Sequence, residues 1–213
     1  MVSLLTVVAL SGCAADSGEA DPAASAAAAS ALAAAETPAQ VVFWQSLQAL
    51  CGNAYAGRLA VGGASDSSFS RSELVMHVRE CSDAEIRIPF HVGDDRSRTW
   101  VITRTPDGLR LKHDHRHADG SEDEVTQYGG DTRDTGTVEW QEFAADAYTA
   151  ELLPASATNV WTVEVVPGQL FAYALRRENS DRRFRVEFDL TQPVTAPPAP
   201  WGSEDRPAIS SPG

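Results

Sequence analysis

Three histidines occupy alternate positions of a short segment that has the pattern of a β-strand. The segment runs from Leu109 to His117, and its odd positions are Leu109, Leu111, His113, His115 and His117. Alternate residues of a strand share a face, so we expect these five side chains to point one way and the charged residues between them the other. The two leucines identify the buried face. We therefore predict that the histidines continue this face towards one mouth of the fold.

The spacing of the histidines limits the chemistry they can perform. Imidazole nitrogens at positions i and i+2 of a strand can bind zinc or copper at about 2.0–2.1 Å. Positions i and i+4 are roughly 13 Å apart, so we expect a pair, His113–His115 or His115–His117, completed from a neighbouring segment. Three acidic residues lie just beyond: Asp119, Glu122 and Asp123. The same histidines could instead line a polar cavity or lie on the surface, and these alternatives stay open.

Cys13 carries a different chemistry. It is the last residue of the run Leu10-Ser11-Gly12-Cys13, which follows the apolar stretch Val2 to Leu10. This apolar stretch is shorter than the roughly 20 residues needed to span a bilayer, and it has the length of a signal-peptide h-region. The run resembles the lipobox of bacterial lipoproteins. The resemblance implies a signal segment over residues 1–13, lipidation of Cys13, and anchoring in the cell envelope. Because Ala14 rather than Asp follows, it favours the outer membrane, facing the periplasm.

The expected signal segment lacks a basic n-region, since no Lys or Arg precedes Cys13. Either the true start lies further upstream, or the segment is a short apolar N-terminus of a cytosolic protein. Under the lipoprotein interpretation, Cys51 and Cys81 are an even pair in an oxidising compartment, which predicts a disulfide. Two buried free thiols are the alternative.

Composition divides the chain into a tether, a domain and a tail. Residues 14–38 are mostly Ala and form the expected tether, because they have too little apolar surface to order themselves. Residues 191–213 are rich in proline and are expected to form a disordered tail. The net charge is -13, which argues against nucleic acid as a partner because an acidic domain repels phosphate backbones.

The domain, residues 39–190, has the pattern of one helix followed by strands. The helix is expected at about Ala39 to Leu50, and after it the apolar period falls to two, with turn residues between the runs. The expected strands are 54–61, 73–81, 85–92, 98–105, 109–117, 124–128, 138–143, 160–166, 170–177 and 183–190. About ten antiparallel strands in meander order predict an all-β, up-and-down antiparallel barrel, since closure removes exposed edges. A β-sandwich is the alternative.

The strand order, the opening segment Leu50–Gly57 and the closing segment Arg183–Phe188 resemble the calycin group of lipocalins, fatty-acid-binding proteins and nitrobindin-like barrels. The resemblance implies a barrel with a cavity. The Gly-x-Trp of lipocalins is absent, because Arg58 and Leu59 follow Gly57. Nitrobindin-like proteins bind haem through a histidine near the C-terminal end, and no histidine follows His117, so haem binding does not carry over.

Two classes of function remain. The first is a membrane-tethered barrel that binds a small apolar or amphipathic ligand, with Leu109, Leu111, Trp100 and Tyr128 as the expected ligand-binding residues and zinc or copper as a possible metal at the mouth. The second is a structural or interaction lipoprotein whose barrel is filled by side chains. An enzyme is a weaker third class, because the chain contains no Gly-x-Ser-x-Gly, P-loop or His-Glu-x-x-His motif.

Overall fold

The computed structural model describes residues 37–206 and Ala208. Cys13, the expected signal segment and residues 14–36 of the expected tether lie outside the described residues.

Helix α1 (Pro38–Gln48) matches the expected helix within two residues at each end. The side chain of Thr37 accepts a hydrogen bond from the backbone N–H of Gln40, and the side chain of Gln40 accepts one from the backbone N–H of Thr37. This capping box satisfies two N–H groups that the helix itself leaves unpaired. Thr37 and Pro38 therefore belong to the helix and not to the tether expected over residues 14–38.

In the described part of the chain, eleven strands and four short helical turns follow α1. The strands are β1 (Ala54–Val61), β2 (Leu74–His77), β3 (Glu80–Cys81), β4 (Glu85–Val92), β5 (Asp95–Thr105), β6 (Gly108–His115), β7 (Tyr128–Asp131), β8 (Trp140–Ala144), β9 (Asn159–Val166), β10 (Leu170–Arg177) and β11 (Arg183–Val194). The helical turns are α2 (Ser67–Arg71), α3 (Ala147–Leu152) and two 3₁₀ turns at Ala64–Asp66 and Pro154–Ser156.

The strands form one antiparallel sheet in the order β7-β6-β5-β4-β2-β1-β11-β10-β9-β8, with β3 paired to β4 alone. The two ends of this order, β7 and β8, approach each other through a bridge between Thr132 and Phe143. A hydrogen bond from the N–H of Asp146 to the carbonyl of Gly129, 2.9 Å long, lies beside it. The sheet therefore closes almost completely, and the predicted antiparallel barrel of about ten strands is confirmed.

Glycines permit the close approach at this closing seam. A Cβ atom on Gly130 would lie 1.7 Å from the carbonyl oxygen of Ala144, which no side chain tolerates. Gly129 has a φ of 149°, and a Cβ atom there would lie 2.0 Å from the carbonyl oxygen of Leu111. Glycine at position 130 therefore lets β7 approach β8, and glycine at position 129 lets β7 pair closely with β6.

Two predicted strands are wrong in detail. The expected strand 73–81 is broken because the backbone of Val78 bonds to Gly52 and Asn53, in the loop after α1, rather than continuing the ladder. The expected strand 124–128 is absent, and β7 begins only at Tyr128. Before it, Gln127 has a φ of 58°, a left-handed conformation that interrupts an extended strand.

The C-terminal segment also differs from its expectation as a disordered tail. Strand β11 continues to Val194, and residues 195–206 return across the outer face of the barrel. Arg96 Nη1 donates to the carbonyl of Ala199 at 2.8 Å, and the N–H of Trp201 donates to the carbonyl of Arg96 at 3.2 Å. These hydrogen bonds attach the proline-rich segment to β5, a contact that the composition of the segment does not predict.

The predicted disulfide between Cys51 and Cys81 is confirmed. It joins the loop after α1 to the short strand β3, which has only β4 as a neighbour. The bond closes a loop of 30 residues. It therefore attaches α1 covalently to the strands that follow it.

The two ends of the barrel differ. Helix α1 covers one end, which we call the α1 end. Strands β5 and β7 end there and β6 begins there. At this end Gln40 Nε2 donates a hydrogen bond to Thr132 Oγ1 at 3.2 Å. Phe43, Leu47, Leu109 and Leu111 are each 0 % exposed, so side chains fill this half. The opposite end, where β6 and β10 finish and β9 and β11 begin, is called the open end below.

Candidate ligand-binding cavity

A cavity of about 290 Å³ lies at the open end and is partly open to solvent. Strands β4, β5, β6, β7, β9, β10 and β11 contribute to its walls, together with α2 and the segment 153–156. Its principal lining residues are Phe69, Phe90, Arg98, Trp100, His113, His115, Tyr128, Trp161, Tyr173, Arg177, Arg182 and Phe184. The cavity is thus built by the strand ends that α1 leaves uncovered.

Aromatic rings make up most of the walls. Trp100 stacks on Tyr173 with ring centroids 4.5 Å apart, and on its other side Phe90 stacks on Trp100 at 4.7 Å. Tyr128 and Trp161 have centroids 5.9 Å apart. Such packing fixes the rings in place and presents flat apolar surfaces, which favour a planar apolar ligand.

His113 is the most buried polar group of the cavity. Its Nδ1 lies 2.9 Å from the carbonyl oxygen of Tyr128, and its Nε2 lies 2.7 Å from the hydroxyl of Tyr173. A carbonyl only accepts, so Nδ1 carries the proton and Nε2 accepts from Tyr173. Burial lowers the pKa of His113 to about 3. Its ring is therefore neutral and both of its nitrogens are already bonded, which leaves neither free for a metal.

His115 lies next to His113 on the same face and nearer the mouth. Its Nε2 is 3.1 Å from the hydroxyl of Tyr128. Burial lowers the pKa of His115, and the positive charge of Arg98 lowers it further, while burial raises the pKa of Tyr128 to about 12. Both groups are therefore neutral at pH 7, and they can offer hydrogen bonds without charge.

His117 departs from the expected face. Strand β6 ends at His115, and the backbone N–H of His117 donates to the carbonyl of Ser121 within the following hairpin. The strand parity therefore no longer applies, and the His117 side chain is 46 % exposed. The prediction that the strand turns its histidines inward holds for His113 and His115 and is wrong for His117.

The exposed imidazole of His117 instead approaches two carboxylates. It lies 3.5 Å from Glu124 and 3.9 Å from Asp123, and one donor atom from each of the three residues falls within 4.8 Å of the others. One imidazole and two carboxylates are ligands that zinc accepts. This group is separate from the cavity-lining histidines.

Arginines surround the mouth of the cavity. Arg182 makes two hydrogen bonds to Asp66, 2.6 and 2.7 Å long, and these bonds lower the pKa of Asp66. Arg98 pairs with Asp95 at 2.6 Å. Arg177 differs from both, because its Nε donates to the neutral Oδ1 of Asn159 at 2.9 Å.

The expected ligand-binding residues divide between the two halves of the barrel. Trp100 and Tyr128 line the cavity, whereas Leu109 and Leu111 lie in the filled half and do not. Tyr173 and Trp161 also line the cavity, and neither was among the predicted ligand-binding residues. Tyr173 lies two residues from both Phe171 and Leu175 in β10, so the alternation of apolar residues could have predicted that its side chain points inward. The alternation could not have predicted its contact with His113, because 60 residues separate the two.

No helix among the described residues has the length and apolar character needed to cross a bilayer. Comparison with protein-family models, with curated proteins and with solved structures finds no match to this chain. The function of the protein is therefore inferred from the geometry of the barrel.

Proposed function

We propose that this protein binds a small, flat, apolar or amphipathic molecule in the cavity at the open end of its barrel. The observation that carries the proposal is the contrast between an α1 end filled by side chains and an open end that keeps about 290 Å³ between aromatic walls. A barrel that served only as a structural or interaction module would have no need of this space.

The size and polarity of the cavity narrow the ligand. Its volume is at the lower limit of the roughly 300–1,000 Å³ found for ligand pockets, which suits a compact ring system better than a long acyl chain. The hydroxyl of Tyr128 and the imidazole of His115 lie in the wall of the cavity and are hydrogen-bonded to each other. Either group could instead form a hydrogen bond to a bound ligand. These contacts would orient a ligand that the aromatic rings bind.

A fluorescent probe tests the proposal directly. N-phenyl-1-naphthylamine is a small neutral aromatic amine whose emission rises in apolar sites. We expect saturable binding to the wild-type protein and loss of most of it in Ser156→Trp, which places a large ring among the cavity-lining residues. Val138→Trp adds the same ring at a position that is 47 % exposed and outside the cavity lining, so it should bind like wild type. A rise in emission that does not saturate, or equal binding by both variants, would contradict the proposal.

We further propose that the barrel acts at the cell envelope, anchored through a lipid on Cys13. The lipobox-like run supports this, and so does the disulfide, because such bonds persist in oxidising compartments. A Cys13→Ala variant should leave the membrane fraction or remain as an uncleaved precursor. Wild-type protein that fractionates as soluble with Met1 as its N-terminus would overturn the anchoring.

A further inference from the structure

The charge at the mouth of the cavity is opposite to that of the chain. The chain has a net charge of -13, yet among the described residues the cavity lining contains three guanidinium groups, those of Arg98, Arg177 and Arg182, and a single carboxylate, that of Asp66. Both histidines of the lining are neutral at pH 7, since burial lowers their pKa values. The lining therefore has an excess of positive charge.

Two of these three guanidinium groups, those of Arg182 and Arg98, form ion pairs with neighbouring carboxylates. Asp66 accepts two hydrogen bonds from Arg182, and it is itself 4 % exposed. Asp95, which lies just outside the lining, accepts one from Arg98. These pairs position the side chains of the mouth, and an anionic ligand would have to compete with carboxylates for either arginine.

Arg177 is in a different situation. Asn159, opposite it on the neighbouring strand, holds its Nε with an amide oxygen, which fixes the direction of the guanidinium without cancelling its charge. Within residues 37–206 no carboxylate lies at ion-pair distance from Arg177. The two terminal nitrogens of this guanidinium remain available at the mouth of an aromatic cavity.

We propose that the ligand carries an anionic group, such as a carboxylate or sulfonate, and that Arg177 is the residue that binds it. This inference rests on the proposed ligand-binding function and adds the chemical class of the ligand. The planar guanidinium places two N–H donors in parallel, which matches two oxygens of one anionic group. The aromatic part of the ligand would then lie against the rings of Trp100, Trp161 and Tyr173.

The neighbouring arginine supplies a matched control. Arg176 adjoins Arg177 in β10, so its side chain points to the opposite face of the sheet. It makes two hydrogen bonds to Glu142, 2.9 and 3.3 Å long, on the outside of the barrel. Removal of this charge changes the net charge of the protein as much as removal of Arg177 does, and leaves the cavity untouched.

Two probes that differ by one sulfonate group test the inference. 1-Anilinonaphthalene-8-sulfonate is N-phenyl-1-naphthylamine with a sulfonate added. In wild type we expect both probes to bind, and in Arg177→Gln we expect the sulfonate to bind about tenfold more weakly, the effect of a lost charge-assisted hydrogen bond. Binding of the neutral probe should change by less than about twofold, which also reports that the variant is folded. Arg176→Gln should leave both affinities unchanged.

Each other outcome has a distinct meaning. If Arg177→Gln leaves the sulfonate affinity unchanged while the neutral probe binds, the assignment of Arg177 is wrong and the cavity proposal stands. If Arg176→Gln weakens the sulfonate as much as Arg177→Gln does, the effect is one of overall charge and the assignment is again wrong. If neither probe binds wild-type protein saturably, the proposed function itself fails.

Discussion

Strand β6 passes through both halves of the barrel, and its inward residues differ between them. Leu109 and Leu111 are 0 % exposed in the half that α1 covers, whereas His113 and His115 line the cavity of the open half. The same strand, with the same alternation, thus contributes apolar packing at one end and hydrogen-bonding groups at the other. The filled half therefore stabilises the fold, whereas the open half keeps the cavity that we propose as the ligand site.

The largest effect should come from the filled half. Leu111→Ala removes a fully buried side chain and should lower the free energy of unfolding by about 2–5 kcal/mol, because the cavity it leaves cannot collapse. Leu175→Ala is the matched change in the open half, where the side chain borders a cavity that already exists, and should cost about 1 kcal/mol. Urea denaturation of both variants measures the difference. Equal losses would mean that the two halves do not differ in packing.

A second change tests how the α1 end is attached. Replacement of Cys51 and Cys81 together by Ser removes a bond that closes 30 residues. It should lower the free energy of unfolding by about 3–4 kcal/mol in the chain-entropy model, and the melting temperature by roughly 2–4 °C for each kcal/mol. Binding of the neutral probe to the folded double variant should persist, because the bond lies at the other end of the barrel. Loss of probe binding with little loss of stability would reverse the assignment of the two halves.

The pH dependence of stability distinguishes a buried neutral histidine from an exposed one. The pKa of His113 is about 3 in the folded protein and about 6.5 in the unfolded chain. As the pH falls, the histidine is therefore protonated in the unfolded chain before it is protonated in the folded protein. The contribution of His113 to the free energy of unfolding is complete above about pH 6.5. Below that it decreases by about 1.4 kcal/mol per pH unit as the pH falls towards 3.

The variant that isolates this contribution is His113→Gln, which keeps hydrogen-bonding atoms but does not titrate. Its free energy of unfolding, measured by denaturant at several pH values, should fall less steeply below pH 6.5 than that of wild type. Burial, together with the charge of Arg96, lowers the pKa of His91 to about 4, so part of the slope should remain in His113→Gln. Identical slopes for wild type and His113→Gln would show that His113 is not buried in a neutral form.

The smallest expected effect concerns metal at the rim. We propose that any binding of zinc or copper involves His117 with Asp123 and Glu124, whose donor atoms are close together, rather than His113 or His115. Titration with zinc should show weak binding that His117→Ala abolishes and His115→Ala leaves unchanged. If His115→Ala removes it instead, the cavity is the metal site and our division between interior and rim histidines is wrong.

The repeating parts of the fold were predictable because their causes are local. Alternation and turn residues located most strands, and they placed His113 and His115 on the inner face. The error at His117 arose because the strand ends two residues earlier, where a hairpin hydrogen bond replaces the ladder.

What the sequence could not predict depends on partners far apart in the chain. Tyr173 bonds to His113 across 60 residues, and Asp66 pairs with Arg182 across 116. The C-terminal segment was expected to be disordered from its prolines, yet Arg79 and Arg96 bond to its backbone carbonyls. No local pattern encodes these contacts, because they form only when the barrel closes.

A crystal structure of the protein with 1-anilinonaphthalene-8-sulfonate shows directly whether the cavity binds an anionic aromatic molecule. We expect the probe inside the open end, with its rings against Trp100, Trp161 or Tyr173 and its sulfonate within hydrogen-bond distance of Arg177. The side chains of the α1 end, including Leu109 and Leu111, should not move. A cavity that stays empty while the probe occupies the outer surface of the barrel would contradict the account.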